Sequence, residues 1–243
     1  MYRIQDAPSS AKALHRNLSR SAHGPGGVYL WKPLLHLILP LRRVLLIDSD
    51  VALFQGANEL WGEFDRFGPG ASIGIARELA PTYRALGRRS GLNGGVQLMD
   101  LEQMRTGGGL YERELRRCAE GGCGRIGYLG DQTLYTYMHV REPRLFHVLS
   151  CGWNRQLSTH YASDPDFLEW FTCVDKCRVV HANQPALKGL AFGVQTKGRA
   201  PTCAECTSVV GPRVGGRKAL APQRMEPLGL SKRMFLDCCC GLS

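Results

Sequence analysis

"VLLIDSD", Val44 to Asp50, runs four apolar residues into two carboxylates spaced one residue apart. A short continuous apolar run reads as a central strand buried on both faces of a sheet. In open α/β sheets ligands bind beyond the carboxyl ends of the strands, where Asp48 and Asp50 stand. Side chains two apart on an extended segment point the same way, so both carboxylates can face one ligand. Two anions a few ångströms apart repel unless a cation or a proton intervenes. A divalent metal with oxygen ligands is the natural intervening charge. Three readings stand at this point. The pair holds a metal that bridges a nucleotide diphosphate; or Asp48 is a phosphate nucleophile and Asp50 its acid/base; or one carboxylate merely caps the next helix.

Around this stretch, strand and helix patterns alternate. Residues 29–39 read as a helix with Pro33 in its first turn. "ANELWGEFDRF" places Leu60, Trp61, Phe64 and Phe67 near helical spacing. Ala71–Ala76 and Gly94–Asp100 read as strands, and 101–118 as a helix broken by Gly107, Gly108 and Gly109. A helix over Asp131–Val140, a strand in "RLFHVL", a short helix in "DPDFLEWF" and a last strand in "CRVVHA" complete the order. This alternation predicts an α/β domain with a largely parallel or mixed sheet, spanning residues 28–190. Residues 1–27, with "HGPGG", read as a poorly ordered segment. Residues 191–243 form a basic, Gly/Pro/Cys-rich tail without sustained periodicity, expected to be disordered.

The 243 residues suffice for one large domain or two small ones. The net charge is +10, and from Lys188 onward nine basic residues face three acidic ones. A basic surface favours anionic partners, but the tail lacks the interleaved aromatics of a nucleic-acid binder. No stretch approaches the ~20 apolar residues of a membrane span, and the N-terminus has no signal-peptide core. The termini alone therefore read as cytoplasmic. Ten cysteines include "CAEC" at 203–206 and "CCC" at 238–240. These raise a zinc site, against which stands the wrong spacing to a second paired knuckle.

Downstream residues weigh the three readings. A phosphatase needs a partner acid four residues after Asp131, and Tyr135 stands there. A transferase needs groups for a sugar, and "LNGGVQLMD" offers Asn93 with two glycines that let a ligand approach the backbone. "NGG" is equally a turn. Asp131 and Gln132 of "LGDQTLY" stand at a helix start, where they can bind hydroxyls or Asp131 can serve as an N-cap. Trp153 in "CGWNRQL" is a sugar platform or a packed aromatic. His181 in "VVHAN" is a third metal ligand or an unrelated histidine.

In order, "LLIDSDV…LNGGVQLMD…LGDQTLY…CGWNRQL…VVHAN" resembles glycosyltransferase family eight, in particular its xyloside-extending xylosyltransferase branch. "ELWGEFDRFGPGASIGIARELAPTYR" and "PRLFHVLSCGWNRQL" carry the resemblance to that branch, which covers about residues 27–187. It implies an incomplete Rossmann-like mixed sheet flanked by helices, the GT-A nucleotide-diphospho-sugar transferase fold. It implies a retaining enzyme using UDP-xylose and Mn2+, with a xylosylated acceptor on epidermal-growth-factor-like repeats. By position, Asp48 and Asp50 of the Asp48-Ser49-Asp50 motif would bind the metal with His181. Ser49, Asn93 and Gly94, which stands where the family has serine, would line the donor site. Asp131 and Gln132 would orient donor and acceptor hydroxyls as catalytic residues. Trp153 and Asn154 would lie on the acceptor side, and Lys188 would meet the diphosphate.

The same resemblance implies residence in the lumen of the endoplasmic reticulum or Golgi, and a disulfide from Cys151 to Cys173 or Cys177. It further implies that a membrane anchor, a stem and the first nucleotide-binding strands are missing before Val28, as in an N-terminally truncated chain. On that reading the anchor is expected in the full-length form and not within these residues. A remnant that binds nucleotide or glycan without turnover is the alternative the same motifs allow.

Overall fold

The computed structural model describes residues 3–54, 56–87, 91–158, 161, 163–165, 167–183, 204, 234, 235 and 237–239. Lys188, most of the tail and Cys203–Cys206 apart from Ala204 lie outside the described residues.

The chain opens with helix α1 (Ser9–Ser19), followed by two single-turn helices, α2 (Gly26–Tyr29) and α3 (Leu35–Ile38). Strands β1 (Arg43–Ile47) and β2 (Val51–Leu53) flank the Asp48–Asp50 bend. Then come α4 (Ala57–Trp61), β3 (Ile73–Arg77) and β4 (Leu92–Asp100). Helices α5 (Leu101–Thr106), α6 (Leu110–Arg117) and α7 (Asp131–Arg141) follow, with the expected break at Gly107–Gly109 between the first two. Strand β5 (Phe146–Leu149), the two-residue β6 (Arg155–Gln156), α8 (Phe167–Phe171) and β7 (Val179–His181) end the series.

The strands form two sheets, ordered β1-β4-β3-β5 and β2-β7-β6. In the larger, β4 runs antiparallel to both β1 and β3, and only β3 and β5 are parallel. The central position belongs to β4, whose nine residues are all buried. Strand β1 is an edge strand, which corrects the expectation of a central one. Its unbroken apolar character has another cause. Val44 and Leu46 pack on one core cluster, while Leu45 packs on the cluster of the opposite face. Both faces are covered, although among the described residues β1 has a strand neighbour on one side alone.

The larger cluster joins the sheet to α1, α5, α6 and α7 through Leu14, Leu18, Ile75, Met99, Leu115 and Leu134. The other gathers Val51, Leu60, Phe64, Val96, Leu98 and Trp153. Residues 1–27 are not the loose segment expected. Ala11, Leu14 and Leu18 fall on one stripe of α1 and are buried, so the helix is held by its apolar face rather than by its polar composition. Near the end of the chain, Phe235 is fully buried against Leu157 and Val180, and Cys238 is bonded to Cys177. Cys151 pairs with Cys173, one of the two partners expected, and Cys118 with Cys123.

Candidate metal and donor site

The Asp48–Asp50 bend is the junction of the two sheets. Asp48 N–H donates to Gly95 O at 2.9 Å, extending the β1–β4 ladder. Two residues later Asp50 O accepts from Ala182 N–H at 2.8 Å, opening the β2–β7 ladder. Opposite the bend, β4 bulges. Ile75 pairs with Gln97 and the next residue, Ala76, with Asn93, so Gly94, Gly95 and Val96 have no partner in β3. Bulges re-aim side chains at such sites. A Cβ at Gly95 would overlap the His181 imidazole, so only glycine lets β7 bring that ring over the strand.

One carboxylate oxygen each of Asp48 and Asp50 and a ring nitrogen of His181 lie within 4.8 Å of one another. His181 Nε2 is 3.5 Å from Asp50 Oδ1 and 4.0 Å from Asp48 Oδ2. His181 Nδ1 is 3.1 Å from both Asn93 Oδ1 and Asn154 Oδ1. These are acceptors, because Asn93 donates its amide to Glu78 Oε2 at 3.0 Å and Asn154 donates its own to Asn93 Oδ1 at 2.8 Å. Nδ1 therefore carries the proton, and in the neutral ring the Nε2 lone pair faces the two aspartates. Two carboxylates and an imidazole nitrogen with an outer hydrogen bond suit a divalent first-row cation. The other metal-like cluster among the described residues, Cys151, Cys173 and Asp175, has its two thiols joined in a disulfide.

Lys32 closes the other side. Its Nζ is 2.8 Å from Asp48 Oδ1, 3.4 Å from Asp131 Oδ2 and 3.5 Å from Gly94 O. Burial acts to lower its pKa, but the Asp131 and Asp48 carboxylates outweigh that and raise it. Asp131 is not an N-cap. Gly130, at φ +56°, occupies that position, and Asp131 is the first residue of α7 with its carboxylate turned toward β4. There Gln97 Nε2 donates to Asp131 Oδ2 at 2.6 Å. Burial pushes the Asp131 pKa up to about 6 against the Lys32 charge and the Gln97 hydrogen bond.

The remaining expected residues divide. Asp48 is half-buried and Ser49 exposed, whereas Asp131, Gln132, Asn93 and Gly94 are buried around the same point. Gln132 turns inward, accepting from Gly94 N–H at 3.3 Å and donating to Glu78 Oε2 at 2.9 Å. Asn93, expected to touch the donor sugar, is 2% exposed, and both ends of its amide are engaged by protein. Trp153 and Asn154 do not form an acceptor surface. Trp153 is 3% exposed, packed in the core and donating Nε1–H to Glu63 Oε1 at 3.0 Å, while Asn154 is fully buried against His181.

Three site residues escaped the sequence reading. Lys32 was hidden as a lone charge in the run "YLWKPLLHLIL". Gln97 is the polar interruption of an apolar strand, and Glu78 follows directly on "IGIAR". A buried polar residue within or beside an apolar strand was the available signal.

No protein-family model matches the chain. Curated relatives do. Human xyloside xylosyltransferase 1 is 36% identical over 178 residues, covering 61% of this chain and 44% of its own length. The xylosyl- and glucuronyltransferase LARGE2s of Danio rerio is 33% identical over 175 residues, covering 65% of this chain and 22% of its own. The chain thus spans less than half the length of the curated relatives it matches. The crystal structure of mouse xyloside xylosyltransferase 1 in its apo form superposes with a TM-score of 0.62 at 30% identity, over 71% of this chain and 73% of that one. The fold is accordingly the α/β GT-A glycosyltransferase fold.

Proposed function

The chain belongs to glycosyltransferase family eight, among the xyloside xylosyltransferases, and from that premise we propose that it transfers xylose from UDP-xylose to a xyloside on a glycoprotein, with retention and with Mn2+. The catalytic unit of this reading is residues 28–190. The observation that carries it is the convergence of Asp48, Asp50 and His181 within 4.8 Å, with the Nε2 lone pair turned to the carboxylates. A cation bound there would supply positive charge against the diphosphate as the glycosidic bond breaks.

The chain's own groups do the rest. Asp48, Asp50 and His181 would hold the cation. Lys32 adds a second positive charge beside Asp48 and Asp131, of the sign that would oppose charge developing on a diphosphate. Asp131 and Gln132 orient sugar hydroxyls at the N-terminus of α7. Retention favours a same-face route, since neither nearby acid is an unengaged nucleophile. Asp131 Oδ2 is held by Gln97 and Lys32, and Glu78 is enclosed by three donors. An acceptor on epidermal-growth-factor-like repeats is the partner the resemblance to the xyloside xylosyltransferases suggests, and Lys188, outside the described residues, remains the proposed diphosphate contact.

Three disulfides among the described residues support residence in an oxidising compartment, the endoplasmic reticulum or Golgi lumen. No helix among the described residues is long and apolar enough to cross a membrane.

The test is UDP release from UDP-xylose with Mn2+ and a xylosyl-glucose acceptor, with NMR of the product anomeric centre. Activity that survives a chelator, or an Asp50→Ala variant as active as the parent, would overturn the metal assignment.

A further inference from the structure

Glu78 stands just after β3, 7% exposed, and is assigned no role by the metal and donor chemistry. Its carboxylate accepts three hydrogen bonds. Ala80 N–H donates to Oε1 at 2.9 Å, while Asn93 Nδ2 and Gln132 Nε2 donate to Oε2 at 3.0 and 2.9 Å. An ionised carboxylate is an acceptor only, so both amides must turn their nitrogens toward it. Backbone groups that can only donate or only accept agree with that polarity: Gly95 N–H and Gly94 N–H meet the two amide oxygens, and the Asn93 carbonyl accepts from Asn154 Nδ2 at 3.3 Å. The Asn93 oxygen faces Gly95 N–H, Asn154 Nδ2 and His181 Nδ1. The Gln132 oxygen faces Gly94 N–H. With Asn93 Oδ1 and Asn154 Oδ1 both facing Nδ1, the His181 proton resides there and Nε2 is left as the ligand atom.

We infer that Glu78 is a positioning residue that, together with Gly95 N–H, holds the Asn93 amide oxygen toward His181 and so favours the ring tautomer whose Nε2 faces the metal. It touches neither the aspartates nor a ligand. Its action is two bonds removed, Glu78 to Asn93 to His181. A carboxylate kept inside a folded protein is costly unless its lone pairs are met, and here three donors meet them. Burial raises the Glu78 pKa, and the bonds from Asn93, Ala80 and Gln132 oppose that rise. The inference rests on the reading of Asp48, Asp50 and His181 as a metal centre, so its test has one arm that needs no metal.

Two variants of matched length separate polarity from packing and from charge. Glu78→Met removes the carboxylate acceptor, leaving only Gly95 N–H and the Asn154 amide to hold the orientation of Asn93. Glu78→Gln loses the charge, but its carbonyl oxygen can still receive both amides at the cost of the Ala80 bond. Folding is checked by near-ultraviolet circular dichroism and thermal unfolding. The first readout is the His181 side chain in long-range 1H–15N correlation spectra of metal-free protein, at a pH where the ring is neutral. The parent and Glu78→Gln should show the proton on Nδ1, and folded Glu78→Met a mixture or the Nε2–H form. The second readout is Mn2+ affinity by calorimetry. Glu78→Met should bind roughly 10–100-fold more weakly, the range for lost outer-shell partners, and Glu78→Gln within a few-fold of the parent. A folded Glu78→Met with an unchanged His181 tautomer overturns the inference. So does a Glu78→Gln as impaired as Glu78→Met in both readouts, which would assign the effect to charge. If the parent binds no Mn2+, the metal reading fails while the tautomer arm still decides the role of Glu78.

Discussion

The Lys32 ammonium lies 2.8 Å from the Asp48 carboxylate and leans at 3.4 Å on Asp131, tying together two acids that come from different elements. It is a built-in counter-charge for a site designed around anions. Replacing it with methionine leaves Asp48 and Asp131 facing each other with less compensation. Lys32→Met should lower metal-free stability by roughly 1–3 kcal/mol. That is less than the ~3–5 kcal/mol of a fully buried broken pair, because Asp48 is 35% exposed. Added Mn2+ should then raise the melting temperature of the variant by more than it raises that of the parent. Equal shifts, read by scanning calorimetry, would mean that lysine and cation do not share this charge.

Asp131 predicts a pH dependence. Its pKa is about 6 in the fold, against 3.8 for an ordinary aspartate. The raised value means that the folded state binds a proton more readily than the unfolded chain does. That contribution is fully present below pH 4 and is lost as pH rises through 6. The total is on the order of 2–3 kcal/mol. Asp131→Asn removes the titration. In urea unfolding with a chelator present, the variant should gain on the parent between pH 4 and pH 7. A constant difference over that range would refute the assignment.

Gly95 is where β4 makes room for the His181 ring of the other sheet. Gly95→Ala drives a methyl group into the His181 ring. Overpacking of this kind costs about 1–3 kcal/mol, and the displaced imidazole should weaken Mn2+ binding at least ~10-fold. Calorimetric titration of the folded variant checks it; parent-like affinity would show that His181 is not needed in that place.

Trp153 tests the correction to the acceptor side. Its indole is buried and hydrogen-bonded to Glu63. Trp153→Phe should cost roughly 1–3 kcal/mol of stability by removing the donor to a buried carboxylate. The acceptor KM of the folded variant should stay within about 2-fold of the parent, well under the ~1.4 kcal/mol of a tenfold change. A large KM effect at unchanged kcat would return Trp153 to the acceptor site.

What the sequence disclosed was chiefly local. Asp48, Asp50, Asn93, Asp131 and His181 could be singled out because each stands at the end of a periodic segment, where α/β folds place ligands. The helix break at Gly107–Gly109 was equally legible, whereas the strand starts fell two residues off, β3 beginning at Ile73 rather than Ala71 and β4 at Leu92 rather than Gly94. What escaped was pairing at a distance. Apolarity on two faces says that a strand is covered, not that it has neighbours on both sides, so β1 was taken as central. The stripe Ala11, Leu14, Leu18 was present but obscured by polar neighbours. Lys32, Glu78 and Gln97 gain meaning from partners 15 to 99 residues away. For Trp153 both readings stayed open, because an indole beside an amide looks the same in sequence whether it faces solvent or Glu63.

The position of the Asp48–Asp50 bend between two ladders has a mechanical consequence. Asp48 is the last residue tied to the large sheet, while Asp50 and His181 belong to the small one. A cation gripping all three is therefore a rivet across a seam that covalent backbone crosses here through Ser49. Loading should slow amide hydrogen exchange in β2 and β7 far more than in β3 or β5, and stripping it should let the small sheet breathe as its own unit.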